Sequence, residues 1–137
     1  MRAIFESKPM ALFWTESISL DYANLDAAKR WWIATFDCKQ VPLPEWDDPL
    51  PSDIALKLPG FTSEPSILLR ARSEAGPAEG VTSSARNQII FCRKLDKAHE
   101  YLGSRGAAVG PIQDGRGGSF FQVRDCEGNA IEICREP

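Results

Sequence analysis

The order of strand and helix patterns along the chain predicts an α+β fold built from two copies of a β-α-β-β-β unit. Three observations carry this. A strand pattern running into a helix pattern occurs twice, over 17–36 and again over 88–102. The two occurrences are separated by 73–85, a linker rich in Gly, Ser, Ala and Pro. The chain then ends on a hairpin signature over 120–133, with turn chemistry over 125–129 at its centre. These place a single domain over 1–137, with module 1 at about 14–72 and module 2 at about 86–137.

Each element has a local reason. Residues up to Phe13 have a mixed pattern with Pro9, and an edge strand or a loose arm fits equally well. Over 17–22 polar and apolar residues alternate, so Ile18, Leu20 and Tyr22 share one face. Asn24 is placed to cap the helix that follows, with Asp26 in its first turn. Leu25, Ala28, Trp32 and Phe36 then recur at helical spacing, with Trp31 widening the apolar stripe. Asp37 is expected to take a left-handed cap, and a strand to start near Cys38. Four prolines within 42–51 exclude a helix interior or a central strand there. Ile54, Leu56 and Leu58 alternate up to Pro59-Gly60, and 66–72 gives another strand.

In the second half, 88–92 reads as a strand and Leu95, Ala98 and Leu102 as one helix stripe. Gly106 stands where the helix should close, and His99 is expected to face solvent. A strand over 109–112 and a flexible turn over 115–118 lead to the final hairpin. There Gly128 is free to adopt positive φ. If Ile131 and Ile133 pack on a core, Glu132 points the other way.

Bulk properties exclude several functions. A net charge of -3 is wrong for a nucleic-acid or anionic-membrane partner, and no apolar run reaches the roughly 20 residues that span a bilayer. Glu6 and Lys8 break any signal-peptide core, which leaves a cytoplasmic setting as the expectation. The four cysteines, Cys38, Cys92, Cys126 and Cys134, lack C-x-x-C spacing and read as buried free thiols. The glycine-rich run Gly115-Arg116-Gly117-Gly118 is not a phosphate loop, because it follows no strand-to-helix geometry and lacks a Lys-Ser/Thr ending.

The run Asn24-Leu25-Asp26-Ala27-Ala28 through Trp31-Trp32, its parallel Lys94-Leu95-Asp96-Lys97-Ala98, and the ending Arg124-Asp125-Cys126-Glu127-Gly128-Asn129-Ala130-Ile131-Glu132 together resemble the vicinal oxygen chelate superfamily. That family holds glyoxalases, bleomycin-resistance proteins and extradiol dioxygenases, and the resemblance covers nearly all of the chain from Glu16 onward. It implies that the two modules form a cupped, open mixed sheet with helices on the outside, a ligand in the cup, and a homodimer. Its metal enzymes hold a divalent ion with one side chain from each of four strands. The matching positions here are Ser17, Leu68, Asn87 and Glu132, and of these Glu132 alone is an ordinary ligand. The resemblance therefore implies no cofactor, with a divalent metal as the minor alternative.

Strand parity then assigns the cup. Ser17, Ser19 and Asp21 share the side of Glu132, as do Leu68 and Arg70, Asn87, Ile89, Phe91 and Arg93. Arg70, Arg93 and Arg124 suit an anionic ligand or a solvated surface, and Trp46 and Phe61 suit a lid or core packing. Glu132 is either a wet rim carboxylate paired with Arg70 or Arg93, or an acceptor or general base for a ligand. Three functions follow: metal-independent binding of a small, partly apolar molecule as in the bleomycin-resistance branch, a glyoxalase- or dioxygenase-like enzyme using Glu132, or an interaction module with a vestigial cup.

Overall fold

The computed structural model describes residues 12–43, 50–60, 66–72, 88–115 and 118–136. The first half contributes β1 (Phe13–Trp14), β2 (Ile18–Tyr22), α1 (Leu25–Phe36), β3 (Lys39–Val41), β4 (Ile54–Lys57) and β5 (Ile67–Ala71). The second contributes β6 (Gln88–Cys92), α2 (Leu95–Ser104), β7 (Ala108–Val109), β8 (Gln113–Gly115), β9 (Gly118–Arg124) and β10 (Ala130–Arg135). Two open mixed sheets result. One is four-stranded in the order β2-β5-β4-β3; the other is six-stranded, β1-β6-β10-β9-β7, with β8 also on β9. Each contains one parallel pair, β2 with β5 and β6 with β10, as the doubled unit requires.

Local chemistry explains the elements. Asn24 accepts from the Ala27 N–H and starts α1, and Asp37 closes it in the left-handed region at φ 58°. Gly106 at φ 84° and Gly128 at φ 85° take conformations that a β-carbon resists. The second half differs from the expected single strand over 109–112. The chain pairs at Ala108–Val109, leaves the sheet at Pro111, and returns as β8, whose Gly115 pairs with Gly118. Proline lacks the donor that a continuous strand would need. Of the two readings of the N-terminus, an edge strand holds for Phe13, which pairs with Cys92. Residues 1–11, most of the proline-rich stretch, and all of the expected linker lie outside the described residues.

A single buried cluster runs through both sheets and both helices, from Tyr22, Trp32, Phe36, Leu56 and Leu69 to Ile90, Leu102, Phe121, Val123, Ile131 and Ile133. Phe13 joins it edge-on to Phe36 at 5.0 Å. The helices are also tied to each other, because Asp37 accepts from Tyr101 at 2.7 Å and from Nη1 and Nη2 of Arg105.

The two halves meet at one buried carboxylate. Asp125, in the β9–β10 turn, accepts from the Tyr22 hydroxyl at 2.6 Å, and that hydroxyl accepts from Trp32 Nε1 at 3.0 Å. The same carboxylate accepts from the backbone of Glu127 and Asn129 and from Asn129 Nδ2, which shapes the turn. Burial, and after it the bond to Asp125, holds the Tyr22 hydroxyl far above the usual tyrosine range. Next to it, Glu127 accepts from the N–H groups of Ala23 and Asn24 at 3.0 and 2.8 Å, placing an acid at the start of α1. We expect Tyr22→Phe to lower stability by about 1–3 kcal/mol, since it leaves Asp125 Oδ2 and Trp32 Nε1 buried without this partner. Urea unfolding should show a lower midpoint at unchanged slope.

Candidate functional site

Each helix covers one face of its sheet and leaves the other face free of both helices. Across paired strands, residues in register point the same way, so the pairing lists the open face of the six-stranded sheet directly. One row runs Trp14, Phe91, Cys134, Phe120, Gln113 across β1, β6, β10, β9 and β8. The next runs Ile89, Glu132, Gln122. Trp14 is 40% exposed and stacks on Phe91 with centroids 4.7 Å apart at 25°. Phe91, Phe120, Ile89, Glu132 and Cys134 are half-buried, while Ile131 and Ile133 on the opposite face are fully buried.

Glu132 sits in the middle of this surface. Its Oε1 accepts from the Cys134 thiol at 3.4 Å, and it has no second partner among the described residues. Burial, then this bond and the carboxylate's charge, push the Cys134 thiol up to about 12. At the sheet edge Glu136 is already engaged, accepting from Trp14 Nε1 at 2.7 Å and facing Arg93 Nε at 3.8 Å.

The open face of the four-stranded sheet is different in character. Register puts Ser19 beside Leu68 and Asp21 beside Arg70, with Ala55 next to Leu68. Arg70 does not meet Glu132. Its Nε donates to Asp53 Oδ2 at 3.2 Å, and Asp53 is buried, with Oδ1 lacking a partner. Asp53 Oδ2 also accepts from the Leu50 N–H and so anchors the loop that precedes β4. This acid was missed in the sequence, where it read as the solvent phase of an alternating strand.

The predicted residues therefore divide. Phe91, Ile89 and Glu132 share one open face; Asp21, Leu68 and Arg70 share the other, with exposed Ser17 just before β2. No hydrogen bond, ion pair or ring contact joins the two sets among the described residues. Asn87, Trp46 and Phe61 lie outside the described residues. Neither expected arginine partner of Glu132 is in place, because Arg70 is drawn to Asp53 and Arg93 to Glu136. Arg93 stays at the edge of the face against Glu136, and it also lines a shallow cavity of about 320 Å3 with Lys94, Ile112, Ser119 and Arg135. Arg124 is turned onto the Gly128 carbonyl at 2.9 Å. His99 does not face solvent: its Nε2 lies 2.8 Å from the Gly110 carbonyl, and its ring stands edge-on to Phe121 at 4.8 Å. Helical spacing puts it one turn from Leu95 and Leu102, close enough to the buried stripe to be drawn in. Cys126, expected to be buried, is exposed in the hairpin turn, and all four thiols are free.

Of the four positions matched to metal ligands, Asn87 lies outside the described residues. Leu68 has no donor atom, Ser17 is a weak neutral one, and Glu132 lies on the other sheet. No group of three or more His, Cys, Asp or Glu that could hold an ion occurs among the described residues. Nor is any helix among them long and apolar enough to cross a membrane.

No protein-family model matches the sequence, and no curated protein does. Solved structures do match. A glyoxylase/bleomycin resistance protein/dioxygenase domain from Frankia sp. EAN1pec covers 87% of this chain and 94% of its own, at 24% identity and a TM-score of 0.62. A member of the same superfamily from Sphaerobacter thermophilus covers 90% and 97%, at 18% identity and 0.65. The fold is that of the glyoxalase/bleomycin resistance protein/dioxygenase superfamily. Within this superfamily fold, TnmS3, an antibiotic binding protein from Streptomyces sp. CB03234, covers 94% of this chain and 100% of its own, at 17% identity and a TM-score of 0.64.

The Cys134–Glu132 contact gives a direct chemical expectation. Thiolate is the form that alkylates, so iodoacetamide should modify Cys134 slowly at pH 8. Glu132→Gln removes the charge that helps hold the proton on, and the rate should rise several-fold. Peptide mass spectrometry separates Cys134 from the exposed Cys126.

Proposed function

We propose that this protein binds a small, partly apolar molecule on the open face of the six-stranded sheet, without a metal. The observation that carries the reading is the row of half-exposed rings, Trp14, Phe91 and Phe120, set beside a single carboxylate and an amide, Glu132 and Gln122. An apolar wall with a few convergent polar groups is what a small-molecule site needs. Likeness in fold to an antibiotic binding protein points the same way. The donor chemistry at Ser17, Leu68 and Glu132 supports a role that does not depend on an ion.

The same reading implies a homodimer. Each chain leaves two sheet faces uncovered by its own helices, and a second copy would turn each face into a cup. Light scattering on the purified protein should give twice the mass of the chain. With its free thiols, the protein is assigned in this reading to the cytoplasm. An enzyme using Glu132 as a general base is the second reading, favoured by that carboxylate having no second partner among the described residues. It requires turnover that Glu132→Gln abolishes, whereas a binder has none to lose.

A thermal-shift screen of flat and aliphatic small molecules tests the first reading. A ligand present at 100 times its Kd should stabilise the fold by about 2.7 kcal/mol. Phe91→Ala should remove the shift while the unliganded protein keeps its circular dichroism spectrum. A screen in which no compound moves the midpoint, or in which Phe91→Ala leaves every shift intact, would contradict it.

A further inference from the structure

We infer that the face formed by Trp14, Phe91, Phe120 and Glu132 selects a flat aromatic cation. The inference rests on the binding role proposed above and goes on to name the ligand's chemistry. Flatness comes from the row itself. Trp14 is stacked face to face on Phe91, so the next place in that stack stands above Cys134, between Phe91 and Phe120. Two strand spacings of about 4.8 Å separate Phe91 from Phe120, room for one flat fused ring system to slot between them.

Positive charge comes from what surrounds the rings. Glu132 stands one row away, diagonal to Phe91 and Phe120, half-buried between Ile89 and Gln122. A carboxylate among apolar groups is stabilised by an ionised donor far more than by a neutral one. The faces of the rings also attract a cation. The nearby guanidinium groups are directed elsewhere: Arg93 to Glu136, and Arg124 to the Gly128 carbonyl at the hairpin tip. Glu136, the other acid at this edge, accepts from the Trp14 indole and holds that ring in the row. An anionic ring system would instead bring its charge against Glu132, and among the described residues no arginine is hydrogen-bonded or paired toward that face's centre.

The test uses two probes of equal ring count and opposite charge, 9-aminoacridine and anthracene-9-carboxylate, titrated by their own fluorescence at low salt. The cation should bind about tenfold more tightly than the anion. Glu132→Gln, which is nearly isosteric, should weaken the cation about tenfold and leave the anion unchanged or tighter. Phe91→Ala should weaken whichever probe binds. Two outcomes overturn the inference alone: equal affinities for the two probes, or a cation affinity that Glu132→Gln does not move, while Phe91→Ala still lowers binding. If neither probe binds the folded protein, as when a second copy seals the face, the binding role fails and the inference fails with it.

Discussion

Asp125 is the group on which the arrangement of the halves depends. One oxygen shapes the turn that joins the last two strands, and the other holds the Tyr22 hydroxyl from the first half of the chain. Burying a carboxylate is costly unless its oxygens are hydrogen-bonded, and here two separate parts of the chain supply the donors. The hairpin therefore cannot take its native shape without presenting the oxygen that Tyr22 requires. The Glu127 contact to the start of α1 follows from the same docking, because the turn brings both acids to that place together.

Much of this was legible in the sequence, because it follows from short-range rules. The alternation of Ile18, Leu20 and Tyr22, the Asn24 cap, the left-handed Asp37 and the positive φ of Gly128 are each set by neighbours within a few residues. The parity that turns Glu132 away from Ile131 and Ile133 is of the same kind. What escaped was long-range. Nothing local distinguishes an aspartate that shapes a turn from one that also anchors a tyrosine about a hundred residues away. Likewise Arg70 shares a phase with the open face, yet Asp53 captures it from the end of the loop before β4.

The same distinction separates the two open faces. Parity tells which residues of a strand point away from the core, but not which strands stand side by side. Treating all strands as one surface put Ser17, Leu68 and Glu132 around a common centre. The strand order sets Leu68 in one sheet and Glu132 in the other, with β2 of the first next to β6 of the second. It also adds a partner that no periodicity announced: Trp14 belongs to an edge strand of only two residues, yet it completes the aromatic row. Recognition chemistry on this fold is thus written by strand neighbours as much as by strand sequence.

The placement of β1 has a consequence for how the chain behaves when divided. Phe13 and Trp14 are encoded in the first half but hydrogen-bond to β6 in the second, and Phe13 bridges the cores of both. A chain severed between Ala71 and Gln88 would yield two fragments, each carrying part of the other's sheet or core. Such fragments are built to seek one another, so the protein has the makings of a split reporter whose reassembly restores one continuous interior.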